Sequence, residues 1–254
     1  MTEAVVVAPA KLTVSLHITG VRADGYHLLD AEMVTIDLAD TLTFSDGDGL
    51  DIVGAEVATD DSNLVRRALT LVGRSAQVRV DKRVPPGAGL GGGSADAAAV
   101  LRWAGVDDLE LAARLGADVP FCMRGGRARV TGVGENVEPL PFEDRTFTLV
   151  IPPFGCSTAD VYRAWDELGG PKGPGRNDLE SAALTVEPRL AVWRDGLVEA
   201  TGEHAHLAGS GSTWFVEGEF PGDDRIVVRT VPHLIFPGKP TQKRVGLPGK
   251  TGER

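Results

Sequence analysis

Only two cysteines, Cys122 and Cys156, occur among the 254 residues. A disulfide framework needs more than that, so both read as free thiols of a reducing compartment. No stretch approaches the roughly 18 consecutive apolar residues of a membrane-spanning helix. The opening MTEAVVVAPAK carries an acid at Glu3 and no long apolar segment, so it does not read as a secretory signal. Positive charge is also in deficit, with 26 Lys and Arg against 36 Asp and Glu and a formal net charge of -10. A phosphate backbone wants a basic face, so nucleic acid is not an expected partner. A small anionic molecule stays possible, because a local cluster decides that. Together these absences point to a cytoplasmic enzyme acting on a small molecule, a monomer or homodimer with no membrane partner.

Glycine, by contrast, is abundant, and five of the 32 glycines lie between Gly87 and Gly93 in PPGAGLGGGSADAAA, Pro85 to Ala99. Glycine tolerates positive φ and lets a ligand reach the bare backbone, while a helix N-terminus offers unpaired N–H groups and a positive dipole end. An anionic tail fits such a loop without a cationic side chain. It is not a Walker A loop, which needs a lysine after its last glycine. The lookalike at Gly249-Lys250-Thr251 has Arg244 where the first glycine belongs. Gly87 to Gly92 does satisfy G-x-G-x-x-G, but a dinucleotide fold wants a strand ending in an acid some 20 residues on. Asp107 and Asp108 instead open DDLELAARL, which has helical spacing. A merely structural turn would need one or two glycines.

Along the chain, Lys11 to Thr19 alternates as a half-buried strand, and Met33 to Leu38, Thr41 to Ser45 and Gln77 to Val84 read as further strands. Helical spacing covers Asn63 to Val72, Ser94 to Trp103 and Asp107 to Leu115, and Arg127 to Leu140 reads as a hairpin. A boundary is expected within 141–145, before a strand at Thr146 to Ile151. Ser157-Thr158 caps a helix reaching Leu168, and two more helices follow over Asn177 to Leu184 and Glu187 to Thr201. His206 to Val216 brackets a second glycine cluster, Gly209-Ser210-Gly211-Ser212, and Arg225 to Thr230 is a strand. This mixed order argues an α+β class. His204 and His206 have strand spacing for a metal pair, yet no carboxylate or cysteine cluster joins them, so they read as surface residues.

Lys11 within APAKLTVSLHITGVRADGYHLL, the glycine run, LGADVPF (Leu115 to Phe121), NDLE (Asn177 to Glu180) and AGSGSTWF (Ala208 to Phe215) together resemble the GHMP small-molecule kinases. RADGYH, GADVPF and NDLE narrow the resemblance to members that phosphorylate a cytidine diphosphate ester in isoprenoid precursor synthesis. It implies a two-domain α+β fold. An ATP-binding domain like domain 2 of ribosomal protein S5 spans 1–144, a ferredoxin-like domain spans 145–232, and an irregular tail fills 233–254. ATP and Mg²⁺ are the implied cofactors. A homoserine or mevalonate type of GHMP kinase is the alternative, as is a non-catalytic ligand sensor, which would need neither Lys11 nor Asp118.

Phosphoryl transfer to an alcohol needs the γ-phosphate held, its charge neutralised and the hydroxyl proton accepted. The resemblance assigns the base to Asp118, which on residues alone reads more readily as a helix cap before Val119-Pro120. It makes Lys11 the partner cation, able to lower the pKa of the attacking hydroxyl by proximity. Pro86, Gly87, Gly89, Leu90, Gly91, Gly92, Gly93 and Ser94 would cradle the nucleotide phosphates, and Asn63, Lys82 and Arg83 would border the nucleotide. Ser94 could cap the helix, donate to phosphate or meet Mg²⁺; no other metal ligand suggests itself. For the acceptor, Tyr26 and His27 would face Tyr162 across the base. Thr13 stands where the family carries asparagine, and Gly209, Ser210 and Gly211 would form a second anion nest.

Overall fold

A computed structural model describes residues 3–173 and 175–232, and the tail expected over 233–254 lies outside the described residues. The chain begins with a long antiparallel hairpin, β1 (Ala4–Val21) and β2 (His27–Ser45). There follow β3 (Gly49–Val53), α1 (Leu64–Leu71), β4 (Gln77–Asp81), α2 (Gly92–Trp103), α3 (Leu109–Ala113), α4 (Val119–Arg124), β5 (Arg127–Gly132) and β6 (Asn136–Pro139). Strand β2 organises this sheet. Its Thr41–Ser45 end pairs with β4, its Leu29–Val34 end with β5, and β1 runs along its other edge. Helix α1 is the crossover that makes β3 and β4 parallel.

The remaining elements are β7 (Thr146–Val150), α5 (Thr158–Glu167), α6 (Glu180–Val186), α7 (Leu190–Thr201), β8 (His206–Leu207), β9 (Trp214–Glu217) and β10 (Ile226–Arg229). They build a four-stranded antiparallel sheet in the order β10-β7-β9-β8. Among the described residues no helix is long and apolar enough to cross a membrane.

Alternation predicts burial of one face of β1, but the structure buries every residue from Ala8 to Val14. The cause lies in the second sheet. Ala10, Leu12, Val14 and Ile36 pack with Phe147, Leu149, Phe215 and Val228 in one apolar cluster, so both faces of the hairpin are covered. Lys11 and Thr13 occupy the stretch between two register shifts, Pro9/Lys11 and Thr13/Ser15. Such bulges re-aim side chains, and here they turn two polar residues inward at buried positions.

Helix α2 also differs from expectation. It begins at Gly92 with Gly91 as N-cap at φ 68°, so Ser94 sits in the third helical position and does not cap. Helices α3 and α6 are shorter than their sequence patterns. Asp108 starts α3 by accepting from Leu111 N, while Asn177 and Asp178 spend their side chains on other segments, which delays α6 to Glu180. His206 is half-buried and not at the surface; its imidazole is lowered to about 4 by burial and then by His204 and Arg176. Among the described residues no group of three or more metal-ligating side chains forms.

Candidate active site

A cleft of about 1390 Å³ opens where β1, the 85–94 loop, α4 and α5 meet. That exceeds the roughly 300–1,000 Å³ of a single-ligand pocket, so it has room for two substrates. The glycines of its loop divide into three physical roles. Gly87 and Gly89, both at positive φ, let the loop touch the second half backbone to backbone. A Cβ on Gly89 would stand 2.5 Å from the Gly211 carbonyl oxygen and 2.7 Å from that of Ala208. Thr213 fastens the same turn, its Oγ1 donating to the Ala88 carbonyl at 2.7 Å. Gly91 takes the left-handed conformation that starts α2, and a Cβ there would lie 2.8 Å from Lys11 Cγ. Only Gly92, Gly93 and Ser94 remain as the open first turn of α2, their N–H groups without helical acceptors.

Lys11 lies across Gly91 with its stem buried. Its Nζ donates to Thr13 Oγ1 at 3.0 Å and stands 3.5 Å from Asp118 Oδ2. Asp118 occupies the N-cap position of α4, with Pro120 in the first turn, yet its carboxylate makes no capping bond. The side chain is instead turned into the cleft and about one-third exposed. The local geometry therefore rejects the capping role and pairs the acid with Lys11. Tyr162 is close enough to feel that charge: burial first, then Asp118, push its phenol well above the usual range.

Lys82 meets the cleft, but its ammonium is engaged. It donates to Asp40 Oδ2 at 2.5 Å and to Asp96 Oδ2 at 2.8 Å, all three side chains being buried. Asp40 also accepts from the Arg83 and Val84 amides, which fixes the entry to the glycine loop. Burial and the neighbouring Asp40 push Asp96 up to about 7, against the pull of Lys82. Neither acid was among the expected site residues. The signal for Asp96 is a lone carboxylate inside the apolar run ADAAAVL; nothing near Asp40 in sequence marks it. Asn63 lines the cleft and caps α1, its Oδ1 accepting from Val65 N at 2.8 Å.

The expected aromatic clamp changes partners. His27 packs directly on Tyr162, centroids 4.8 Å apart, and edge-on to Trp165 at 5.4 Å, with its Nε2 held by Asp166 at 2.8 Å. No planar ligand fits between rings in contact, so His27 and Tyr162 form one wall. Tyr26, 61% exposed and lining the same cleft, carries the Arg22 guanidinium over its ring at 5.3 Å and is the other aromatic ring there. Of the second glycine cluster, Ser210 reaches the cleft and shares a hydrogen bond with Thr158 at 3.0 Å. Gly209 adjoins Lys11 and Thr13, and Gly211 abuts Gly89.

An open helix terminus beside a lysine–aspartate pair, on an α+β two-sheet frame, is an arrangement suited to phosphoryl transfer, and the class of phosphotransferase it belongs to is the GHMP kinases, as the relatives of the chain show. The model of the GHMP kinases N terminal domain matches residues 63–126. The chain is 39% identical over 231 residues to a 4-diphosphocytidyl-2-C-methyl-D-erythritol kinase of Paracoccus denitrificans, covering 82% of this chain and 84% of that one. A solved structure of a 4-(cytidine 5'-diphospho)-2C-methyl-D-erythritol kinase aligns with TM-score 0.69 at 34% identity, covering 86% and 91%. A homoserine kinase structure from Cytophaga hutchinsonii aligns with TM-score 0.57 at 18% identity over 92% and 96%, a likeness of fold alone. The chain belongs to the 4-diphosphocytidyl-2-C-methyl-D-erythritol kinase family.

Proposed function

We propose that the protein transfers the γ-phosphoryl group of ATP to the 2-hydroxyl of 4-diphosphocytidyl-2-C-methyl-D-erythritol, a step of non-mevalonate isoprenoid precursor synthesis. The observation that carries this reading is the Lys11–Asp118 pair, 3.5 Å apart beneath the open first turn of α2. Asp118 accepts the hydroxyl proton as the oxygen–phosphorus bond forms and the bond to the leaving ADP oxygen breaks. The Lys11 ammonium, held by Thr13, neutralises charge on the reacting oxygens. The amides of Gly92, Gly93 and Ser94 hold phosphate oxygens through the helix terminus. The donor set fits Mg²⁺ only modestly: the Ser94 hydroxyl is a hard oxygen facing the cleft, and a magnesium ion held mainly by phosphates and water needs little more. Bound there, it would shield the phosphate charge.

On the acceptor side, Tyr26 faces the His27–Tyr162 wall with the cytosine between them, and Ser210 meets the diphosphate. The division at 144/145 then separates a half that holds ATP from one that completes the acceptor site. The test is ATP turnover with the cytidine diphosphate ester against homoserine, mevalonate and other alcohols. A preference for the ester of at least a hundredfold in kcat/KM is expected; equal or better turnover of another alcohol overturns the substrate assignment, and none at all favours a ligand sensor.

A further inference from the structure

The NDLE segment has no part in the cleft, yet its first two residues are among the most buried polar groups of the molecule, Asn177 3% and Asp178 1% exposed. They belong to a short segment docked on β1. Leu16 N donates to Arg176 O at 2.7 Å and Asp178 N to Leu16 O at 2.9 Å. The Asp178 carboxylate accepts from Ile18 N at 2.9 Å and Gly173 N at 3.1 Å. Asn177 points the other way. Its Nδ2 donates to Leu207 O at 2.9 Å and to Gly209 O at 2.7 Å, while its Oδ1 accepts from Leu179 N at 2.9 Å. Both amide hydrogens are therefore spent on carbonyls where β8 runs into the second glycine loop, Leu207 at the strand end and Gly209 in the loop.

That loop is placed against the reacting groups. A Cβ on Gly209 would lie 3.6 Å from Lys11 Nζ and from Thr13 Oγ1, and the carbonyls of Ala208 and Gly211 abut Gly89. Among the described residues, Asn177 is the side chain that hydrogen-bonds the Gly209 backbone. We propose that Asn177 is the positioning residue of the 207–211 loop, setting its separation from Lys11 and the phosphate loop through the two carbonyls it binds. The inference rests on the kinase reading for its kinetic consequence, though not for its structural one. Asparagine is required because it alone offers two donors on a short stem. An aspartate of the same shape would offer none and would set a carboxylate against two carbonyl oxygens.

The test compares Asn177→Asp with the wild type and with Thr230→Val, which removes a buried hydroxyl bonded to Glu143 O and Arg145 N at the far end of the sheets. Asn177→Asp is expected to raise amide hydrogen exchange over residues 207–213 at least tenfold while β7 is unchanged. It should also lower kcat at least tenfold with the KM for ATP held within twofold, at a temperature where the protein is folded. Thr230→Val should lower the melting temperature without either effect. Unchanged exchange over 207–213 overturns the proposal, as does a kcat loss shared equally by Thr230→Val. If the aspartate variant does not fold, Asn177→Ser, with one donor left, carries the same two readouts. Should the wild type fail to turn over the cytidine ester, the kinase reading fails, and the exchange result alone still decides the positioning role.

Discussion

Replacing Gly91 by alanine perturbs one methyl group and two functions at once. At φ 68° any residue with a Cβ is strained, by roughly 1–2 kcal/mol. For a chain of this size that corresponds to a fall in melting temperature of about 2–8 °C. The new Cβ would stand 2.8 Å from Lys11 Cγ and 3.1 Å from Cε, so the lysine stem must move. The stem is flexible and will give, but its end is tied to Thr13 Oγ1 at 3.0 Å and paired with Asp118 at 3.5 Å. A displacement near 1 Å of a positioned group costs on the order of a hundredfold in rate. The expected outcome is thus a folded protein with a modest loss of melting temperature and a kcat lowered about a hundredfold. Gly73→Ala is the control, because Gly73 has the same left-handed backbone at φ 61° while its Cβ would meet nothing within 4 Å, so it carries the strain without touching Lys11. Steady-state kinetics with circular-dichroism melts on both variants decide the matter. Full kcat in folded Gly91→Ala would show that the loop does not position Lys11.

Asp118→Asn should leave nucleotide binding within about twofold, measured calorimetrically, while kcat falls by roughly 10² or more, the scale of a lost general base; near-full turnover would strip Asp118 of that role. Lys82→Met leaves Asp40 and Asp96 buried without a cation, and chemical denaturation should register a loss of about 3–5 kcal/mol. Asp96 binds its proton more tightly folded than unfolded, so its contribution to stability is full at low pH and is lost as pH rises from about 4 through about 7. Melts of wild type and Asp96→Asn should therefore diverge across that window, with the wild type losing ground as pH rises; parallel curves would refute it. Tyr26→Ala and Tyr162→Ala should each raise the KM for the cytidine ester about tenfold to a hundredfold, the scale of base stacking on an aromatic ring, while sparing that for ATP. Equal losses for both substrates would mean a packing defect.

What the sequence reveals of this fold is what is local. The glycine run leading into a helix, the α1 stripe, the Ser157 cap and the 127–140 hairpin each depend on neighbours within a few residues. Burial of both faces of β1 does not, because alternation records one apolar face and says nothing of a second sheet some 135 residues away. Lys11 was legible as a motif residue, but the bulges that turn it inward are a property of the pairing with β2. The Lys82 triad draws its acids from 42 and 14 residues away, and His27 finds Asp166 across 139. Such pairings leave no periodicity. Of the three roles open to Ser94, capping falls away for a different reason: a glycine in left-handed conformation, Gly91, opens the helix without any side-chain acceptor.

The seam at Gly87, Gly89 and Ala88 carries a consequence for inheritance. Gly87 faces Gly155 with a hypothetical Cβ at 3.2 Å, Gly89 presses on the carbonyls of Ala208 and Gly211, and Thr213 binds between them. Neither half can change its backbone path there by a few tenths of an ångström without a matching change in the other. A hybrid that joins 1–144 of this chain to the second half of a distant relative inherits two surfaces fitted to different partners. A working hybrid therefore needs both sides of this contact taken from one parent.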